Sequence, residues 1–290
     1  MESGQSTPIL AAEGVGKRFG ALVVLHGVQF ALGSDEAVGI VGPNGAGKTT
    51  LLNVLAGAQQ PNAGAVSFQG ADVTGLGAAH RCRLGIARAH QVPRPFGGMT
   101  VFENVLVAAA SGAGRRGTDA YDRCIEALER CELLGAANRR AETLGLIDRK
   151  RLELARALAT DPVVLLLDEI GAGLTDAEAA DLVETIRDLH GRGIAIVWIE
   201  HIVHVLVQVV RRLICMDAGR VIADGEPDAV MADAAVIDAY LGRAGGVGST
   251  ELPAGVGLPE PAKGAEAPAS PAPERDQNGG AGFAGAGAGR

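Results

Sequence analysis

The residues best placed to do chemistry stand in a row: Gly42-Pro43-Asn44-Gly45-Ala46-Gly47-Lys48-Thr49-Thr50. They fit the pattern G-x-x-x-x-G-K-[ST], whose glycines let backbone N–H groups curl around a phosphate. Lys48 can reach terminal phosphates as a compact charge, and the Thr49 hydroxyl can ligate Mg²⁺. The chain holds 22 Arg and only 4 Lys, and one of those four stands here, where a planar guanidinium is no substitute. Two further clusters lie downstream. Asp168-Glu169 closes the apolar run 163–167, and Glu200-His201 closes the run 194–199. The C-terminal ends of strands are where open α/β sheets place their ligands. Asp168 there is a natural outer-sphere or water-mediated Mg²⁺ partner, and Glu169 a candidate base for an attacking water. His201 reads either as a contact to a terminal phosphate or as a structural histidine. Together these residues predict a nucleotide site.

The elements that must position them are legible around each cluster. The run Ala37-Val38-Gly39-Ile40-Val41 predicts a buried strand before the glycine-rich turn, and Leu51 to Leu55 continues as a helix whose N-terminus adds partial positive charge. Residues 9–32 read as strands with a turn at Gly14-Val15-Gly16, and 65–69 as another short strand, so an antiparallel edge on a mostly parallel sheet is expected. Phe19, within that edge, is either a platform for a nucleotide base or a core phenylalanine. From about 77 to 160 the texture is helical, with a capping box at Thr100–Glu103 and helical spacing over 121–134 and 149–158. A second capping box at Thr175–Glu178 opens a helix to about His190, and 213–223 reads as a hairpin.

Composition narrows the function classes. A formal charge of −8 argues against a dedicated nucleic-acid binder, and 3% aromatic residues leave little for base-stacking platforms. Cys82, Cys124, Cys131 and Cys215 form no C-x-x-C pair, which favours a reduced setting over metal or disulfide roles. No apolar run approaches the ~18 residues that span a bilayer, so work at a membrane would go through a partner. Beyond 243 the chain collapses into Gly, Ala and Pro, and the stretch 244–290 is expected to be a disordered tail behind one domain over 1–243.

Over about residues 8–242 the sequence resembles the ATP-binding subunits of ABC transporters. The resemblance rests on the order Phe19, phosphate loop, Gln91 in Ala89-His90-Gln91-Val92, Asp168-Glu169 and His201. Phe19-Gly20-Ala21-Leu22, the stretch 98–105, the stretch 152–158, Ala172-Gly173-Leu174 and the ending Ala239-Tyr240-Leu241-Gly242 resemble the branched-chain amino-acid importer subfamily. The resemblance implies an α/β P-loop NTPase (ABC ATPase) fold: a mostly parallel core sheet, an antiparallel β edge subdomain and an inserted helical subdomain at about 77–160. It implies ATP and Mg²⁺ as ligands, with Gln91 joining Thr49 and Asp168 around the metal, Glu169 polarising water and His201 positioning the γ-phosphate. The implied partners are membrane permease subunits, a second ATP-binding subunit, a solute-binding protein and no nucleic acid, with the chain at the cytoplasmic face of the membrane. Related urea-import and lipopolysaccharide-export ATPases share these features.

The chain departs from the family at one motif above all. The signature Leu-Ser-Gly-Gly-Gln, which serves the nucleotide on the opposite subunit, corresponds here to Leu144-Gly145-Leu146-Ile147-Asp148. Gly145 offers no hydroxyl, Ile147 fills a position of close approach, and Asp148 adds negative charge beside a phosphate. Ile170 and Ile202 replace the usual proline and aspartate after Glu169 and His201. A heterodimer with an intact companion is the favoured assembly, and a regulatory ATP-binding clamp with little hydrolysis is the alternative.

Overall fold

The structure, a computed structural model, describes residues 7–241; the expected tail at 244–290 lies outside the described residues. Strands β1 (Leu10–Phe19), β2 (Leu22–Leu32), β4 (Ala63–Phe68) and β5 (Ala71–Asp72) form an antiparallel sheet in the order β2-β1-β4-β5. Strands β3 (Ala37–Val41), β6 (Ile86–Ala89), β7 (Val164–Asp168), β8 (Ala195–Ile199), β9 (Arg212–Asp217) and β10 (Arg220–Gly225) form a second sheet, ordered β10-β9-β3-β8-β7-β6. All its pairings are parallel except the β9–β10 hairpin. The antiparallel strands are thus a sheet of their own rather than an edge of the parallel one.

The parallel strands read as continuous apolar runs because both faces are covered. Val38, Ile40, Leu166, Val197 and Ile214 pack with helix α1 (Lys48–Leu55) and the antiparallel sheet on one side. Leu165, Leu167, Ile196, Trp198 and Leu213 point to the other face, under the helices α3 (Val101–Ser111), α4 (Gly117–Arg130), α5 (Leu146–Leu158) and α6 (Asp176–Gly191). Both capping boxes form: Thr100 and Thr175 accept from the Glu103 and Glu178 amides, and each glutamate side chain returns to its cap's N–H. Cys124 and Cys131 are both fully buried at one side of α4.

Two further expectations change. The turn expected at Gly14-Val15-Gly16 is a bulge within β1, and the reversal comes at Gly20-Ala21. Gly14 takes a left-handed φ of 61°, which aims Val15 into the core with no exposed surface. The stretch expected to be helical from about 77 begins with α2 (Ala78–Leu84) and then β6, a core strand. Only four residues long and carrying Arg88, β6 lacks the apolar run that marks its neighbours.

Val15→Ala tests the bulge. A side chain at a surface turn would cost little, whereas this one is fully buried, so we expect a loss of about 2 kcal/mol in the full chain. Denaturant unfolding at constant m-value measures it.

Candidate nucleotide site

The phosphate loop is shaped by what cannot fit. A Cβ on Gly42, at φ 142°, would lie 2.1 Å from the Met216 carbonyl oxygen of β9, so strand β3 can turn into the loop only with glycine there. Gly47, at φ 100°, is the N-cap of α1, and a Cβ would meet Leu25 at 2.9 Å. The loop therefore presses against β2 and β9 and leaves a concavity lined by Asn44 to Thr50, with Val24 on one wall and Glu169 on another. Lys48 folds back over the loop, its Nζ donating to the Gly42 oxygen at 2.6 Å and the Pro43 oxygen at 3.2 Å. It is 5% exposed, which keeps a compact ammonium beside the cradle.

Strand β7 delivers two carboxylates with different surroundings. Asp168 is buried, its Oδ2 held by the Arg88 guanidinium at 2.6 Å and its Oδ1 3.5 Å from the Thr49 hydroxyl. Arg88 also donates to the Asn53 side chain of α1, so three elements meet at one guanidinium. Glu169 leaves the strand with a left-handed φ of 47°, its N–H donating to the Ile199 oxygen at 2.9 Å. That bend swings its side chain to the concavity. His201 Nε2 lies 2.7 Å from Glu169 Oε1, and the Gln91 amide donates to Oε2. The His201 hydrogen bond foremost, aided by the charges of His201 and Lys48, holds the Glu169 carboxyl below its ordinary range although burial opposes this. Glu200 differs: burial pushes its carboxyl up, although the Gly171 N–H donates to it at 2.6 Å.

Glu169, His201 and Gln91 thus share one hydrogen-bonded cluster, beside a second formed by Asp168 and Thr49. A threonine hydroxyl and a carboxylate oxygen facing each other are hard oxygen donors that suit Mg²⁺ completed by phosphate and water. The Gln91 amide oxygen is a third candidate, since its nitrogen is the atom engaged by Glu169. Phe19 stands apart from the residues that line the concavity. Its ring is 46% exposed at the end of β1, with the Lys17 ammonium 5.1 Å from its centroid. The exposure sets aside the core alternative.

Sequence reasoning missed Arg88 and Asn53. The available signal was a lone arginine in the otherwise apolar Ile86-Ala87-Arg88-Ala89, which in a buried strand demands an anionic partner. At the departing motif, Gly145 caps α5 without a side-chain bond, Leu146 is 47% exposed and Asp148 is half-buried. Arg149 donates to the Leu144 and Glu142 carbonyl oxygens, both at 2.9 Å, rather than to Asp148. Asp148 has no ion pair among the described residues.

Comparison with known proteins identifies the family. The ABC transporter family model matches residues 25–172, and a model described as branched-chain amino acid ATP-binding cassette transporter matches residues 220–245. The high-affinity branched-chain amino acid transport ATP-binding protein LivG of Salmonella typhimurium is 37% identical over 254 residues, covering 82% of this chain and 100% of its own. The lipopolysaccharide export system ATP-binding protein LptB of Haemophilus influenzae is 32% identical, over 81% of this chain and 98% of its own. A crystal structure of the ADP conformation of an ATP-binding cassette superposes with a TM-score of 0.74 at 30% identity, over 82% of this chain and 100% of that one. The chain belongs to the ATP-binding subunits of ABC transporters, nucleotide-binding ATPases coupled to transport.

Proposed function

We propose that this chain hydrolyses ATP at its own phosphate loop to power import of branched-chain or related amino acids through membrane permease subunits. The observation that carries the catalytic part is the Glu169 carboxylate, bonded to His201 and Gln91 on the wall of the Asn44–Thr50 concavity. The loop amides and Lys48 bind the phosphates, with Lys48 exchanging the Gly42 and Pro43 carbonyls for phosphate oxygens. Thr49, Asp168 and Gln91 would hold Mg²⁺, which when bound would supply neutralisation of phosphate charge. Glu169, kept anionic, accepts a hydrogen bond from water and aims its oxygen at the γ-phosphorus. The water oxygen bonds to the γ-phosphorus while the bridging P–O bond breaks, its electron pair leaving on ADP and the water's proton passing to Glu169. His201 steadies Glu169 and positions the γ-phosphate. Phe19 supplies a stacking face for the adenine.

The C-terminal match and the LivG relative support amino acids as cargo, and a solute-binding protein would then deliver them. Among the described residues no helix is long and apolar enough to cross a membrane, in keeping with docking on permeases at the cytoplasmic face through the region around Gln91 and the helical layer. The LptB relative motivates an export reading, but the match at residues 220–245 favours the importer.

The Gly145–Asp148 stretch favours a heterodimer. In a sandwich, it would face the companion's nucleotide without a hydroxyl and with an uncompensated carboxylate, a costly pairing in a partly dry site. This chain's complete phosphate loop would face the companion's signature instead. The clamp alternative then describes the companion's site rather than this one.

Two substitutions test these roles. Lys48→Ala should abolish Mg-ATP binding at micromolar nucleotide while the chain stays folded, measured with a fluorescent ATP analogue. Near wild-type affinity would remove the phosphate-cradle assignment. Glu169→Gln should keep nucleotide but lower turnover of the assembled transporter at least about 100-fold, the order a general base contributes. Turnover within a few-fold of wild type would exclude Glu169 from catalysis.

A further inference from the structure

Arg81 is an arginine with no exposed surface and no carboxylate ion pair among the described residues. Its partners are backbone carbonyls. Nη1 donates to Val54 at 2.7 Å and Leu55 at 2.9 Å, Nη2 to Thr74 at 3.1 Å, and Nε to Leu76 at 3.1 Å. Val54 and Leu55 are the last residues of α1, where carbonyls lose their helical i+4 donors, and Val54 also accepts from the Gly57 N–H at 3.1 Å just past the end. A guanidinium there also meets the negative end of the helix dipole. Gly57 makes room, since a Cβ at that position would lie 2.8 Å from Arg81 Nε. Burying a charge among four carbonyls, with the Asp72 carboxylate acting on it only from beyond ion-pair distance, is costly, and what it holds is the helix whose first residues are Lys48 and Thr49.

Arg81 lies on α2, and the strand that follows, β6, carries Arg88. That second guanidinium donates to Asn53 near the same end of α1 and to Asp168 on β7. A short continuous segment therefore grips α1 twice. Three residues past Arg88 it reaches Gln91 by way of Ala89 and His90, so the segment that bonds Glu169 is also the one that holds α1.

We propose that the α2–β6 segment braces the phosphate-loop helix through two guanidinium groups, and that Arg81 is thereby a positioning residue for nucleotide binding although it does not line the phosphate cavity. The proposal rests on the nucleotide-binding reading above. α1 is only eight residues long, too short to be stable by itself, so the placing of its N-terminal groups depends on what fixes its far end. Arg88 orients Asp168 in addition, whereas Arg81 bonds α1 and the 74–76 stretch but no carboxylate of the site. The two should differ in their dependence on Mg²⁺.

The test uses the full chain with Arg81→Lys, Arg81→Met and Arg88→Met. Three quantities are read: melting temperature without nucleotide, the Kd of ADP with and without Mg²⁺ well below the melting transition, and amide exchange across residues 48–55. Arg81→Lys keeps a charge but cannot span four carbonyls, and the account expects ADP binding about tenfold weaker, equally with and without Mg²⁺, and faster exchange in α1. Arg81→Met should be weaker still, and Arg88→Met should lose more affinity with Mg²⁺ than without it. A folded Arg81→Lys chain with a lowered melting temperature but unchanged Kd and unchanged α1 exchange would overturn the proposal and leave Arg81 a purely structural residue. If Arg81→Met does not fold, Arg81→Lys decides alone. Failure of the wild-type chain to bind ADP would instead overturn the nucleotide site itself, with Lys48→Ala as the reference for lost binding.

Discussion

The ion pair between Arg88 and Asp168 is the contact on which the site's geometry depends. Both side chains are nearly buried, at 11% and 3% exposure, so neither charge can be left alone without a penalty of several kcal/mol. The pair joins the outermost strand of the parallel sheet to the strand bearing the two carboxylates. Through Asn53 it also reaches the phosphate-loop helix. One oxygen of Asp168 is committed to Arg88, which leaves the other turned toward Thr49. Apolar residues of similar volume can pack as well as a buried pair, but they would not aim that oxygen, so the pair is better understood as an orienting device than as a source of stability.

Glu169 shows the complementary principle. Its neighbour is buried and fixed by a counter-charge, whereas Glu169 turns out of the strand at positive φ, a conformation costly for a residue with a side chain. The hydrogen bonds from His201 and Gln91 hold it in that place. Two adjacent carboxylates thus have different partners, Asp168 the Arg88 guanidinium and the Thr49 hydroxyl, Glu169 the His201 ring and the Gln91 amide.

Much of this was legible because the signals are local. The phosphate loop, the strand ends and the two capping boxes each need only a few contiguous residues, and the runs 37–41, 163–167 and 194–199 announce strands covered on both faces. The bulge at Gly14 was not legible, since Gly-x-Gly serves a turn or a bulge equally well and the choice is made by the partner strand. Close passage of Gly64 decides it, where a Cβ would lie 2.4 Å from the Glu13 and Gly14 carbonyl oxygens. Strand β6 was lost in the helical texture because its identity depends on a carboxylate 80 residues away. Arg81 was silent for the same reason: its partners are carbonyls, and a backbone acceptor leaves no trace in the sequence.

The two halves of the chain are unequal. Its phosphate loop, Asp168, Glu169, Gln91 and His201 form a connected set, while Gly145 to Asp148 offers a partner neither hydroxyl nor neutral surface. The central claim is that hydrolysis occurs at this chain's own loop, completed by a companion's intact signature. The most direct measurement is steady-state ATPase activity of this chain alone and mixed with a second ATP-binding subunit, each with and without its phosphate-loop lysine. The account predicts turnover near background for the chain alone, and turnover in the mixture that survives loss of the companion's lysine but not Lys48→Ala. Robust, cooperative ATPase activity from this chain by itself would contradict it.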